Sequence, residues 1–402
     1  MWLFYFFAAI VIWLGIISLR GGFRYSSYVK SQLTNSFPKF TPFASVIVPC
    51  RGLEENLSDN LAALFRQSYP AYELIFVTDS SSDPALSVIS SLIQSETLGQ
   101  IPARVLIAGA AEDSGQKVHN LRVSAGAVDP RCEVIVFVDS DAHPQTSWLC
   151  SIVAPLQDEA LGATTGYRWF VPMKGGFASH LRSVWNASIA SALGAKQESN
   201  FCWGGSTGIR RSTLNRLKII ERWRGSVSDD FTLTRVLGEE KLPIHFVPAC
   251  LVASRGDCDF GELLEFTNRQ LKITRVYAPH LWKPVLLGSL LFCLVFFGGV
   301  TLVVARGVLG LPFAIPLALV AVIFLLGAGK AFVRFRAVAS ALRSGGVNGS
   351  GSLIGHLLLW PLASALYLIN ALNAAFSRRI HWRGITYELK SATEVGIIKS
   401  GQ

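Results

Sequence analysis

The peptide Glu133-Val134-Ile135-Val136-Phe137-Val138-Asp139-Ser140-Asp141 decides how the rest of the chain is read. Five apolar, mostly β-branched residues run directly into two carboxylates two positions apart. An uninterrupted apolar run of this kind is the pattern of a strand buried on both faces of a parallel sheet. Ligands of open α/β sheets bind at the carboxyl ends of the strands. Two aspartates there offer hard oxygen ligands to a divalent cation, and that cation can hold a diphosphate. A strand ending in an Asp/Ser turn would give the same peptide, so the flanking sequence has to decide.

Outward from this stretch, strands and helices alternate. Ala44 to Val48 reads as a strand stopped by Pro49, and Asn56 to Gln67 has helical periodicity. Glu73 to Val77 forms a second strand ending at Asp79, and Arg104 to Ile107 a third. The alternation predicts an α/β fold with a mostly parallel sheet, here over residues 40–280, with an interfacial amphipathic helix near 262–278.

The ends of the chain belong to a membrane. Half of the 402 residues are hydrophobic and mean hydropathy is +0.39, too apolar for an ordinary soluble enzyme. Trp2 to Leu19 carries no charge and Arg20, Arg24 and Lys30 follow it. A cleaved signal peptide has its charges ahead of the apolar run, so residues 1–20 read as an uncleaved transmembrane anchor. Val285 to Ala305 and Leu311 to Ala328 give two further transmembrane helices over residues 285–328. Lys330, Arg334, Arg336 and Arg343 mark residues 329–352 as a basic cytoplasmic connection.

Residues 353–376 are apolar but hold Pro361, His356, Asn370 and Asn373, and are expected as a re-entrant or transmembrane segment. Counting crossings sends the tail at 377–402 outside. Its Arg378, Arg379, Arg383 and Lys390 call for the cytoplasm, which favours the re-entrant form. The expected protein is therefore a multi-pass membrane protein with a cytoplasmic catalytic domain. The formal net charge of +10 is scattered along the chain, which fits cytoplasmic loops and not a nucleic-acid surface. The seven cysteines form no Cys-x-x-Cys pair, which argues against a disulfide framework or zinc site and for a reducing compartment.

Four polar groups fall at predicted strand or loop ends: Asp79, then Lys117 in Gly115-Gln116-Lys117-Val118-His119-Asn120, then Asp139 with Asp141, then Asp229-Asp230 ahead of an apolar helix. Singly, each fits a turn or a helix cap. Their order along alternating strands and helices is far more specific. That order resembles the ceramide glucosyltransferase family, within the GT-A-type glycosyltransferases. Ser45-Val46-Ile47-Val48-Pro49-Cys50-Arg51-Gly52 is similar to the family's first strand and its basic-Gly loop, and Lys117-Val118-His119-Asn120-Leu121 to its Lys-x-x-Asn-Leu segment. Tyr69-Pro70-Ala71-Tyr72-Glu73-Leu74 and Asp83-Pro84-Ala85 continue the likeness, and Trp382-Arg383-Gly384 with Tyr387 is similar to a tail motif of these membrane enzymes.

The resemblance implies a GT-A domain and inverting transfer of a hexose, glucose first among them, from a UDP-sugar to the hydroxyl of a membrane lipid such as ceramide. It implies that Arg51, Asp79, Lys117 and Asp139 bind the nucleotide sugar, with Asp79 at the uracil ring and Asp139 at the ribose. Asp139 and Asp141 would hold Mg²⁺ or Mn²⁺, with Asp141 the principal ligand. Asp230 would act as general base on the acceptor hydroxyl, with Asp229 orienting it. Arg269 and Lys272 would contact the donor, in a peptide where the family has an arginine followed by tryptophan and this chain has Lys272 followed by Ile273. Trp382 and Arg383 would either reach the active-site mouth or anchor the tail. The Gly204-Gly205-Ser206-Thr207-Gly208 loop could approach the sugar or be a plain turn. Two other readings stay open: a processive polysaccharide synthase, and a membrane scaffold that keeps the fold without turnover.

Overall fold

The computed structural model describes residues 1–35, 39–95, 100–346 and 349–398. Residues 347–348 of the expected connection and 399–402 of the expected tail lie outside them. Seven strands form one sheet: β1 (Ala44–Pro49), β2 (Tyr72–Thr78), β3 (Ala103–Ile107), β4 (Val134–Val138), β5 (Ala163–Val171), β6 (Ser206–Arg210) and β7 (Ile244–Arg255). Their order is β3-β2-β1-β4-β6-β5-β7. β1 runs parallel to β2 and β4, β2 to β3, and β5 to β7. β6 is antiparallel to both of its neighbours. The expected mostly parallel α/β sheet of a GT-A-type domain is present, with apolar helices at both ends of the chain.

Alternation of side chains across the pleat explains why the opening peptide is apolar throughout. Val134, Val136 and Val138 bury into one core with Val46, Val48, Leu74 and Phe76. Ile135 and Phe137 bury into a second core on the opposite face with Ile47, Ile75 and Val77. Strand order reverses between β1 and β4, and a ligand crevice opens at such a switch point beyond the carboxyl ends of the strands. Arg51 follows β1 there and Asp139 follows β4.

Four described helices are long and apolar enough to cross a membrane: Trp2–Thr34, Pro279–Val308, Ala314–Ser344 and Leu353–Phe376. Three of them outrun their sequence-based bounds, the first and third by the most. The first continues past residue 20, because Tyr25 and Val29 join the core of the large sheet and the Tyr28 hydroxyl donates to the Phe246 carbonyl at 2.6 Å. The third continues to Ser344 through the basic stretch, so the segment at 329–352 is mostly helix, and its Arg334 is buried. The helix expected near 262–278 spans Phe260–Tyr277 and starts at a capping box, in which Asp259 and Glu262 satisfy each other's backbone N–H groups.

The Leu353–Phe376 helix is unbroken at Pro361. At about 1.5 Å per residue its 24 residues reach roughly 36 Å. Both of its flanks nevertheless rest on the α/β domain. Ahead of it, the Trp169 indole donates to the Ser350 carbonyl at 2.9 Å. Behind it, the tail folds into an antiparallel sheet of β8 (Arg379–Trp382), β9 (Ile385–Ser391) and β10 (Glu394–Ile398). That sheet packs Ile380, Tyr387 and Leu389 against Val227, Ile273 and Tyr277.

Candidate active site

β4 ends at Val138, and the two aspartates beyond it enter a network of opposite charges. Lys117, in the first turn of the Gln116–Ala125 helix, lies 2.7 Å from Asp139 Oδ1 and 3.4 Å from Asp229 Oδ1. Arg168 on β5 spans the pair, at 3.0 Å from Asp139 Oδ2 and 3.1 Å from Asp141 Oδ2. A register shift between Thr165 and Tyr167 precedes Arg168, and such bulges re-aim side chains toward active sites. The guanidinium also lies 4.9 Å from the Trp203 ring. Sequence reading did not single out Arg168. The available signal was a lone charge within the apolar run Tyr167-Arg168-Trp169-Phe170.

The network sets protonation states. Burial alone would favour neutral Lys117, but Asp139, Asp229 and Asp230 hold its pKa above the ordinary lysine value. Burial likewise opposes ionised Asp139, yet Lys117 and Arg168 keep it below the usual carboxylate range. Asp229 goes the other way: burial, together with neighbouring Asp230 and Asp139, outweighs Lys117 and pushes it up to about 6. Gly204 passes so close to Asp229 and Lys117 that a Cβ would collide with both. The glycine loop thus closes over the ion pair.

Asp230 is held differently. It opens the Asp229–Glu239 helix, where its Oδ1 accepts from the Ser228 hydroxyl and from the Phe231 N–H at 2.8 Å. No hydrogen bond reaches its Oδ2 among the described residues, and the side chain borders the cavity described below. Asp141 has a comparable free atom: its Oδ1 is buried without a partner. That orphaned hard oxygen fits a divalent cation. Both oxygens of Asp139 are already engaged by Lys117 and Arg168, so the cation's fit rests on Asp141. No group of three His, Cys, Asp or Glu side chains suited to a metal occurs among the described residues.

The tail completes the mouth. Arg383 (φ 48°) and Gly384 (φ 78°) form a two-residue hairpin between β8 and β9, a geometry that requires positive φ at both positions. From that hairpin Arg383 donates to the Arg51 carbonyl at 2.7 Å and pairs with Glu54. Glu54 also accepts from Ser140, between the two aspartates, at 2.8 Å. Arg51 pairs with Asp79 at 3.2 Å, and Arg51 lines the cavity with Asp79 behind it. The Tyr387 hydroxyl accepts from the Gln116 N–H at 3.1 Å, one residue from Lys117. Trp382 lies 5.0 Å under the Arg269 guanidinium, which burial brings down to about 10.

Lys272 requires a correction. It was expected at the donor, but its ammonium turns to the tail and donates to the Arg379 carbonyl at 2.8 Å and the Ser377 hydroxyl at 3.3 Å. The next residue, Ile273, is packed beneath the tail sheet, so apolar packing dominates at the position where the family has tryptophan. Elsewhere the sequence-based residues converge. Arg51, Lys117, Asp139, Asp141, Asp229, Asp230, Arg269, Trp382 and Arg383 all border one cavity of about 1680 Å³. From the carboxylates this cavity continues to Leu281, Val285, Gly288 and Phe292 on the Pro279–Val308 helix and to Ser364 and Tyr367 on the Leu353–Phe376 helix.

Comparison with known proteins bears on this arrangement. The chain is 24% identical over 271 residues to ceramide glucosyltransferase 1 of Caenorhabditis elegans, covering 64% of this chain and 55% of that protein. It is 20% identical over 263 residues to ceramide glucosyltransferase 3 of the same organism, covering 63% and 56%. The chain thus spans about half the length of the curated relatives it matches. Among solved structures, it aligns with a mannosyltransferase from Pyrobaculum calidifontis in complex with GDP-Man and Mn²⁺ over 91% of this chain and 97% of that one. That alignment has 18% identity and a TM-score of 0.47. The model of glycosyl transferase family 21 matches residues 3–395, nearly the whole chain, and the protein belongs to that family.

Proposed function

We propose that the protein is an inverting glycosyltransferase that moves a hexose, glucose in our reading, from a UDP-sugar to the hydroxyl of a membrane lipid such as ceramide. The observation that carries this reading is the single cavity joining the carboxylates to two apolar helices. A water-soluble donor can occupy the charged end while a lipid acceptor enters from the bilayer. Family membership supports glycosyl transfer, and the named relatives support ceramide as acceptor.

The chain's own groups suit a direct displacement. Asp230 Oδ2 takes the proton of the acceptor hydroxyl as that oxygen bonds to the anomeric carbon. The bond from that carbon to the diphosphate breaks, the electron pair leaves with UDP, and the configuration inverts. The Ser228 hydroxyl and the Phe231 N–H hold Asp230 in place for this step. Lys117 and Arg168 keep Asp139 ionised and oriented, and Arg51 with Asp79 borders the nucleotide. When bound through Asp141, Mg²⁺ or Mn²⁺ supplies charge neutralisation for the leaving diphosphate.

The same reading puts the catalytic domain in the cytoplasm, because Arg20, Arg24 and Lys30 follow the first apolar run. In this reading the Leu353–Phe376 helix is re-entrant or interfacial, which the contacts of both its flanks with one domain support. The test is to incubate the purified full chain with a panel of UDP-sugars and total membrane lipid and identify products by mass spectrometry. A lipid carrying one hexose is the expected product. A polymer would make the protein a polysaccharide synthase, and neither transfer nor donor hydrolysis would make it a scaffold.

A further inference from the structure

The four apolar helices, Trp2–Thr34, Pro279–Val308, Ala314–Ser344 and Leu353–Phe376, contain no aspartate or glutamate. Within them lie two inward-turned cations. Lys330 and Arg334 are one turn apart and share a face of the Ala314–Ser344 helix. Lys330 packs against Gly22, and its ammonium donates to the Ser18 hydroxyl at 2.8 Å. Arg334 is 5% exposed, makes no ion pair among the described residues, and leaves its Nε without a partner. One further donor within electrostatic reach of Arg334 is also buried and unpartnered, the Tyr25 hydroxyl. Burying positive charge without a counter-ion is too costly to be the resting condition of a stable fold.

Depth identifies the missing anion. Gly15 meets Leu326, Gly22 meets Lys330 and Leu19 meets Gly329, so the first and third helices run in the same direction. Lys330 is level with the end of the first helix's uncharged run, where Arg20 begins the basic flank. That is the headgroup level of a bilayer, where phosphate is the abundant anion. Lys330 and Ser18 also line the cavity, which gives a lipid access to them. We propose that Lys330 and Arg334, with the Tyr25 hydroxyl as a further donor, bind the phosphate of a membrane phospholipid. The lipid is resident between the helices and separate from the acceptor, so the inference does not depend on the transfer reaction.

The test uses the full chain purified in mild detergent, with retained phospholipid counted by native mass spectrometry. Delipidated protein is then titrated with phosphatidylglycerol or with inorganic phosphate, and Tm is followed. The wild type should retain phospholipid and gain Tm from phosphatidylglycerol. Lys330→Gln and Arg334→Gln should each weaken that binding about fivefold, while Lys330→Arg keeps it. Lys330 contacts the cavity, so Lys330→Gln serves as the decisive variant if Arg334→Gln does not fold. Equal lipid retention by wild type and Lys330→Gln would overturn the proposal. Stabilisation by inorganic phosphate with no retained lipid would overturn the lipid as its source and leave a free-phosphate site.

Discussion

At the carboxyl end of β4, Lys117 and Arg168 are matched by Asp139, Asp141 and Asp229, whereas between the membrane helices Lys330 and Arg334 meet no carboxylate among the described residues. Both regions are largely buried, and Lys330 borders the same cavity as the carboxylates. The difference lies in what each has to accommodate. A site that receives a charged donor and releases a charged product benefits from charges already oriented by one another, because little reorganisation is then needed during reaction. A pair of cations with no protein counter-ion can be stable only if something anionic stays with it.

The comparison can be broken most directly at Asp230, which has one oxygen outside the matched network. Asp230→Asn should lower hexose transfer by about a thousandfold and leave nucleotide affinity within about twofold, measured by initial rates and by calorimetry. Turnover near the wild-type rate would move the base elsewhere, with Asp229 first in line. Next in size is Arg168→Gln, which leaves Asp139 and Asp141 without their shared cation. Breaking a buried pair in this way costs about 3 kcal/mol, read as a fall in Tm. Divalent cation should then restore more Tm to the variant than it adds to the wild type. No such difference would mean that the cation and Arg168 do not share the carboxylates.

A smaller effect separates the two ends of the tail contact. Arg383→Ala should raise the donor KM about tenfold by releasing the Arg51 loop, while Lys272→Ala should leave it within about twofold. Equal effects would return Lys272 to the donor site. The mildest expectation concerns pH. Asp229 binds its proton more tightly in the folded protein than in the unfolded chain, where its pKa is ordinary. Between the ordinary carboxylate range and about 6 the folded state therefore holds more protons, and stability falls as pH rises through that window. Asp229→Asn should flatten this slope in thermal melts recorded from pH 4 to pH 7.

Much of this was legible before any coordinates. Three of the first four strands of the large sheet, β1, β2 and β4, follow from apolar runs that end in Pro or Asp, since burial on both faces leaves little room for polar residues, whereas β3 is a partly buried edge strand. Lys117, Asp139, Asp141, Asp229 and Asp230 were found because each sits at an element's end, where polar residues interrupt an apolar pattern. Arg168 and Glu54 were missed because their partners are 27 to 29 and 86 residues away in sequence respectively, and no local period reports such distances. The tail strands were missed because β8 to β10 are short, half-exposed and rich in charge.

Composition and local pattern by themselves determined that this chain has an α/β domain between apolar helices, and which carboxylates stand at strand ends. Those properties depend on hydrophobic periodicity, which neighbouring residues carry. Tertiary structure alone decided that Lys272 faces the tail, that Trp382 and Arg383 close the mouth, and that one cavity joins the charged site to the membrane helices. It also decided that Lys330 and Arg334 are turned inward together. A basic residue in sequence reads as a solvated charge, and only the packing of the helices around it removes the water and creates the need for an anion.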